Sequence, residues 1–129
     1  MAKVLLVEDD PLISRMYLKT FAVEGFEVQL AENGQQGLEK LVDFHPDIIL
    51  LDVMMPEMNG LQMLQAVKAD PATKAIPVIM LTNLAEVNTV EDATMGGAVK
   101  YIVKSDYDPA DVAGIVRDVL GLKKDATPQ

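Results

Sequence analysis

Acidic, hydroxyl and ammonium side chains stand where four separate apolar runs of this 129-residue sequence come to an end. Three consecutive carboxylates, at positions 8 to 10, directly follow the first run, Val4 to Val7. Asp52 ends another run, Thr82 ends the next, and Lys104 ends the last. Gathered carboxylates repel one another unless water or a cation lies between them. These residue types therefore suit a site that binds a cation together with an anionic group.

The candidate ligands are oxygen atoms only. The sequence has no cysteine, and its single histidine, His45, precedes Pro46 in a polar turn that is typical of the surface. Oxygen ligands select a hard cation, and a small site with room for waters and a phosphoryl oxygen suits Mg²⁺ better than Ca²⁺. Thr82 and Lys104 can donate hydrogen bonds to a phosphoryl group on Asp52 and offset its charge.

Apolar runs alternate with segments of helical periodicity along the whole chain. Strands are predicted at Val4 to Val7, Glu27 to Leu30, Asp47 to Leu51, Pro77 to Leu81 and Val99 to Val103. Helices are predicted from Pro11 to the stop at Gly25, about Gln35 to Phe44, Gly60 to Lys68, Glu86 to Met95, and Pro109 to the stop at Gly121. Asp9 or Asp10 is expected to cap the first helix, and Asp108 the last.

This alternation predicts one α/β domain. Fully apolar central strands indicate a parallel sheet with helices on both faces, a three-layer sandwich. Right-handed crossovers favour the flavodoxin-like (βα)5 fold with strand order 2-1-3-4-5. Ligands bind at the carboxyl ends of such strands, so the four groups should face one crevice. The domain is assigned to residues 1–121, and residues 122–129 to a flexible tail or the start of a linker.

Composition restricts the partners and the compartment. Twenty acidic residues against 11 basic ones give a formal net charge of −9, which disfavours direct binding to nucleic acid or to anionic lipid. No apolar run approaches the roughly 20 residues that span a bilayer. The first residues lack the pattern of a signal peptide, and no cysteine calls for an oxidising compartment. We therefore expect a cytoplasmic protein without membrane contact.

Four blocks of the sequence resemble the signature blocks of bacterial two-component response-regulator receiver domains. They are Val4 to Asp10 (VLLVEDD), Leu50 to Gly60 (LLDVMMPEMNG), Pro77 to Thr82 (PVIMLT) and Tyr101 to Lys104 (YIVK). The blocks occur in the family's order and spacing, and the resemblance covers about residues 2 to 121. Each block alone is weak, whereas the four together are highly specific.

The resemblance implies a phosphoprotein with Asp52 as the phosphoacceptor. Asp9 and Asp52 would bind Mg²⁺ directly, Glu8 would act largely through water, and the backbone carbonyl of Met54 would complete the protein ligands. The phosphoryl donor in this family is a phosphohistidine on a histidine kinase or a phosphotransfer protein. The receiver itself supplies the groups for phosphorylation and for later autodephosphorylation, so it is not a conventional enzyme.

The resemblance also assigns the switch residues. Thr82 and Lys104 would hold phosphoryl oxygens, and Tyr101 would be the aromatic side chain that changes rotamer on the last strand. Phosphorylation in the family alters the affinity of one face for its partners, often through a homodimer. A half-exposed tyrosine on a strand needs no function, however, and that interpretation of Tyr101 stays open.

Two positions depart from the family pattern. Ser105 follows Lys104 where receivers usually have proline and a cis peptide bond. Because a cis bond before another residue costs about 2.5 to 4 kcal/mol, we predict a trans bond and a rearranged loop. Asn83 replaces a small residue and is expected to slow reaction with small donors. Met54 and Leu84 are apolar and unsuited to guiding water, which predicts a long-lived phosphorylated form.

Other functions are compatible with parts of the pattern. Carboxylates 8 to 10 could serve only to cap a helix. A phosphatase that forms a phosphoaspartate would need a second aspartate at position 54, where the chain has Met54. A flavodoxin would offer hydroxyls and glycine in its first loop, and no glycine-rich nucleotide loop is present. A receiver-fold interaction module that is never phosphorylated is the remaining alternative.

Overall fold

The computed structural model describes residues 1–53, 60–82 and 97–122, and its five strands form one parallel sheet. The strands are β1 (Lys3–Val7), β2 (Glu27–Ala31), β3 (Ile48–Asp52), β4 (Val78–Thr82) and β5 (Lys100–Val103). Their order is β2-β1-β3-β4-β5, and every neighbouring pair runs parallel. The predicted parallel sheet and its strand order are therefore confirmed.

Four helices pack against this sheet in the described part of the chain. They are α1 (Pro11–Val23), α2 (Gly34–Phe44), α3 (Gly60–Ala69) and α4 (Pro109–Leu120). A short 3-10 turn, Lys104–Asp106, joins β5 to α4. The helix predicted at Glu86 to Met95 lies outside the described residues. Among the helices that are described, none is long and apolar enough to span a membrane.

The central strands are apolar throughout because both of their faces are covered. Alternate side chains of β1 enter two separate clusters, with Leu5 and Val7 in one and Val4 and Leu6 in the other. The first cluster contains Leu41 of α2 and α3 residues, and the second contains residues of α1 and α4. Each fully buried large aliphatic side chain contributes about 1.5 to 3 kcal/mol. This burial holds the ends of β1 and β3 in fixed positions.

Aspartates begin the first and last helices. The Asp10 carboxylate accepts hydrogen bonds from the backbone N–H groups of Leu12 (2.9 Å) and Ile13 (3.3 Å). The Asp108 side chain accepts from the Asp111 N–H, and the Asp111 carboxylate accepts from the Asp108 N–H, which forms a capping box. Of the two candidates for the first cap, Asp10 takes the role, and Asp9 is left for other contacts.

His45 lies at the exposed end of α2. It adopts a left-handed backbone conformation with φ 51° and closes the helix through a hydrogen bond from its N–H to the Leu41 carbonyl. This position agrees with the predicted surface location of His45.

A buried cation joins α4 to the end of α1. The Arg117 guanidinium forms an ion pair with the Glu24 carboxylate and donates a second hydrogen bond to the Glu24 carbonyl at 3.3 Å. The same guanidinium lies 5.5 Å from the centroid of the Phe26 ring. Only 9% of the Arg117 side chain is exposed, so water has little access to replace these contacts if one partner is removed.

We predict that Arg117→Ala lowers the free energy of unfolding by about 1 to 3 kcal/mol, because it leaves the partly buried Glu24 carboxylate without its cation. Arg15→Ala is the matched control, since Arg15 is exposed and its removal changes the net charge equally. The control should change stability by less than about 0.5 kcal/mol. Urea unfolding of the two variants measures the difference, and equal losses would contradict the structural role of Arg117.

Candidate metal and phosphoryl site

The carboxyl ends of β1 and β3 are held by hydrogen bonds that continue beyond the strands. The Glu8 N–H donates to the Ala31 carbonyl at 3.0 Å, and the Val53 N–H donates to the Leu81 carbonyl at 3.0 Å. Asp52 is the last residue of β3 and pairs with Leu81 of β4. The backbone thus positions the side chains of Glu8 and Asp52 independently of any ligand.

Three carboxylates meet at this edge of the sheet. One oxygen from each of Glu8, Asp9 and Asp52 lies within 4.8 Å of the other two. Glu8 is 2% exposed and Asp52 is 5% exposed, whereas Asp9 lies at the surface. The three side chains therefore form a small oxygen-lined site that opens to solvent beside Asp9.

Lys104, which directly follows β5, brings a positive charge to the same end of the sheet. Its ammonium forms an ion pair with Oε1 of Glu8 and lies 3.6 Å from Oδ2 of Asp52. Its side chain is only 8% exposed. Three carboxylates thus face one ammonium, and an excess of negative charge remains at this edge.

The Glu8 carboxylate is held at both oxygens. Oε1 accepts a hydrogen bond from Lys104, and Oε2 accepts one from the Asp10 N–H at 3.2 Å. Asp10 itself caps α1 through its side chain. The acidic run at positions 8 to 10 therefore divides into two carboxylates that face the site and one that starts a helix.

The donor set fits a hard divalent cation. Its atoms are oxygens, two of the carboxylates are buried, and the open side at Asp9 leaves room for water, which Mg²⁺ usually keeps when it binds to proteins. A divalent ion would also offset the excess negative charge. Glu8, Asp9 and Asp52 are the described residues that could hold such an ion.

The remaining candidate residues differ in how far the structure describes them. Thr82 ends β4, where its backbone pairs with Val103, so it stands at the same edge of the sheet as Asp52. Tyr101 lies on β5 opposite Met80 and is partly buried against the cluster formed with α2 and α3. Met54 lies outside the described residues.

Lys104 begins the 3-10 turn that follows β5. Its bond to Ser105 is trans, since the described part of the chain contains no cis peptide bond. This result confirms the trans bond that we predicted from the absence of proline. The turn nevertheless directs the ammonium into the site, so the lysine reaches Glu8 and Asp52 with Ser105 rather than proline as the next residue.

Gly60 contacts the backbone of the candidate phosphoacceptor. A Cβ atom at Gly60 would lie 2.8 Å from the Val53 Cα and closer still to the Asp52 carbonyl oxygen. The Gly60 N–H also donates to the Val53 carbonyl at 3.0 Å. The start of α3 therefore packs directly on β3, and only glycine fits there. This contact was not predicted from the sequence, although a glycine at the first position of a helix is its signal.

Tyr17 is a buried tyrosine on α1 whose pKa depends on its burial, on Glu8 in the site and on Asp108 at the start of α4. Its ring is 4% exposed and stacks on Phe21, with 5.9 Å between the ring centroids. Burial, together with the smaller effects of the negative charges of Glu8 and Asp108, raises the pKa of Tyr17 from 10.0 to about 12. The Tyr17 hydroxyl is thus close enough to both carboxylates to sense their charge.

The chain belongs to the response regulator receiver domain family, whose pattern it matches over residues 4–117. It is similar to the regulatory protein AtoC of Escherichia coli, with 36% identity over 121 residues, 94% of this chain and 26% of that protein. It is also 41% identical over 125 residues to protein-glutamate methylesterase/protein-glutamine glutaminase 3 of Rhodospirillum rubrum, covering 93% of this chain and 33% of that protein. The chain spans about a quarter to about half the length of the curated relatives it matches.

Solved structures with the same fold include a chemotaxis protein and a CheY-like receiver domain protein. Chemotaxis protein CheY4 of Vibrio cholerae superposes with a TM-score of 0.86 at 32% identity, covering 92% of this chain and 98% of that one. A CheY-like receiver domain protein of Methanospirillum hungatei gives a TM-score of 0.85 at 28% identity, covering 94% of each chain. The chain is therefore a receiver domain of the kind found in two-component response regulators.

We predict that Gly60→Ala destabilises the protein by about 1 to 3 kcal/mol, because the new methyl group forces β3 and α3 apart at Asp52. Gly114→Ala is the matched control, since a Cβ at Gly114 meets no atom within 4 Å. The control should stabilise α4 by about 0.5 to 1 kcal/mol through the higher helix propensity of alanine. Urea unfolding compares the two, and a neutral or stabilising Gly60→Ala would contradict the close packing.

A second prediction concerns stability at alkaline pH. The folded chain favours the neutral phenol of Tyr17, so this group's contribution is fully present below pH 10.0 and is lost as the pH rises through about 12. The stability of wild type relative to Tyr17→Phe should therefore fall across that interval. Denaturant unfolding at several pH values measures it, and a constant difference between the two proteins would refute the prediction.

Proposed function

We propose that this chain accepts a phosphoryl group on Asp52 in a reaction that depends on Mg²⁺, and that phosphorylation changes its affinity for partners. The observation that carries the proposal is the group of three carboxylates within 4.8 Å of one another, with the Lys104 ammonium beside them. Membership of the receiver family supports the same assignment.

Glu8, Asp9 and Asp52 would hold the Mg²⁺ ion, together with the backbone carbonyl of Met54. The bound ion would supply positive charge beside the acceptor carboxylate. Phosphoryl transfer proceeds through a loose, metaphosphate-like transition state, so catalysis consists mainly of positioning and charge neutralisation. The fixed backbone at the end of β3 would help to present the Asp52 carboxylate for in-line attack.

In the transfer step, an Asp52 oxygen forms a bond to phosphorus while the bond between phosphorus and the donor nitrogen breaks. The donor imidazole keeps the electron pair of that bond. Lys104, whose ammonium is already 3.6 Å from Asp52 Oδ2, would neutralise a phosphoryl oxygen. Thr82, at the neighbouring strand end, would donate its hydroxyl to another. Water later hydrolyses the acyl phosphate and ends the signal.

The partners follow from the family. The phosphoryl donor would be a histidine kinase or a phosphotransfer protein, and Tyr101 would take part in the switch that phosphorylation operates. The relatives include a DNA-binding transcriptional regulator and a methylesterase, which indicates that receivers of this type serve different outputs. For this chain we propose no direct contact with nucleic acid or membrane, a cytoplasmic location, and homodimer formation on phosphorylation.

A receiver-fold interaction module that is not phosphorylated is the competing function. The replacement of proline by Ser105 favours it, because this position normally shapes the loop that presents the lysine. The ion pairs of Lys104 count against it, since the ammonium reaches the site despite the serine. The expectations for Asn83, Met54 and Leu84 concern residues outside the described part and stay predictions.

We predict that wild-type protein incubated with acetyl phosphate and Mg²⁺ gains the mass of one phosphoryl group. Asp52→Asn should gain none, and removal of Mg²⁺ with a chelator should prevent labelling of the wild type. Asp106→Asn is the matched control, because it removes an exposed carboxylate from the 3-10 turn that follows β5, and it should label normally. Intact-mass spectrometry measures all four samples.

Absence of labelling in the wild type with both acetyl phosphate and a phosphorylated histidine kinase would favour the interaction module. Labelling that survives in Asp52→Asn would place the acceptor elsewhere.

A further inference from the structure

We propose that the outward faces of α1 and α4 form a contact surface for a second copy of this chain, in which α1 of each copy lies against α4 of the other. None of the residues that carry the proposal belongs to the metal and phosphoryl site. The inference therefore goes beyond the proposed function and does not depend on phosphorylation of Asp52.

The outward face of α1 combines exposed apolar side chains with positive charges only. Leu12 is 66% exposed and Val23 is 80% exposed, on the side of the helix opposite the buried Tyr17 and Phe21. The helix contains no acidic residue. We call this face the α1 strip, and its members, at the spacing of one helix face, are Leu12, Arg15, Met16, Lys19 and Val23.

The outward face of α4 is an open groove of the opposite charge. Ala110 and Gly114 have the smallest side chains and contribute to a groove of about 630 Å³. A Cβ atom at Gly114 would meet no atom within 4 Å, so this part of the helix is accessible to a neighbouring molecule. Arg117, the basic residue of α4, is buried in its ion pair, which leaves only carboxylates exposed. We call this face the α4 strip, and its members are Tyr107, Ala110, Asp111, Gly114, Asp118 and Leu122.

The two strips are complementary to each other, and this complementarity identifies the partner as a second copy. Arg15, Lys19 and Asp118 form no ion pair with another described residue, so their charges are available to a partner. Each strip is about three helical turns long. Because α1 and α4 pack side by side over one face of the sheet, a two-fold axis between them places each strip on the opposite strip of the other copy.

Apolar side chains supply most of the affinity of this contact, and the charges decide which strips pair. Exposed ion pairs contribute little free energy individually, whereas like charges placed opposite each other are strongly unfavourable. The net charge of −9 opposes the association of two copies. At physiological salt, however, charges more than about 8 Å apart are largely screened, while the shorter contacts between the strips keep their attraction.

Sedimentation velocity at about 0.15 M salt tests the contact by charge reversal. The wild type should show a monomer–dimer equilibrium that shifts with its concentration. Arg15→Glu/Lys19→Glu and Asp118→Lys each place like charges opposite each other, and each should dimerise at least about tenfold more weakly. An equimolar mixture of the two variants should recover the dimer, because one contact keeps its native charges and the other pairs reversed ones. Recovery in the mixture also excludes misfolding as the cause of the loss.

Lys74→Glu/Lys100→Glu is the matched control, since both lysines are exposed outside the two strips and the net charge changes equally. This control should dimerise like the wild type. Asp52→Asn should do so too, which separates the contact from the chemistry of the site. A wild type that stays monomeric at about 1 mM, an equal loss in the control, or a mixture that stays monomeric would overturn the proposal.

Discussion

Electrostatic repulsion among three carboxylates at one edge of the sheet is the constraint on which the site depends. Parallel strands end at the same edge, so the side chains that follow β1 and end β3 meet whether or not they attract each other. Burial of Glu8 and Asp52 removes most of the water that would screen their charges. The edge therefore requires a cation. Lys104 supplies one positive charge, and an excess of negative charge remains.

The scaffold keeps these groups in place against their repulsion. The β1 and β3 side chains fill two clusters on opposite faces of the sheet, and neither strand can shift without opening one of them. Gly60 packs on the Asp52 backbone and Asp10 fixes the loop after Glu8 by capping α1. Stability and site geometry thus share the same contacts, since residues that fold the domain also hold its carboxylates together.

Much of the fold follows from the sequence because it depends on local patterns. The apolar runs predict the strands to within one or two residues, and their alternation with helices predicts the parallel sheet. The details of the site depend instead on residues far apart in the chain. Lys104 is 96 residues from Glu8, and no local pattern indicates that its ammonium pairs with Glu8 more closely than with Asp52. The close contact between Gly60 and Asp52 likewise appears only when α3 lies against β3.

Paramagnetic broadening by Mn²⁺ tests most directly whether these strand ends share one metal ion, because carboxylate oxygens bind Mn²⁺ as well as Mg²⁺. Small additions of Mn²⁺ to an isotope-labelled sample should first broaden the backbone amide signals of Glu8, Asp9 and Asp52, and excess Mg²⁺ should restore them. In Asp52→Asn the same additions should have a much weaker effect. Broadening that spreads evenly over the acidic surface, or that centres on another acidic region such as Asp106 and Asp111, would contradict the account.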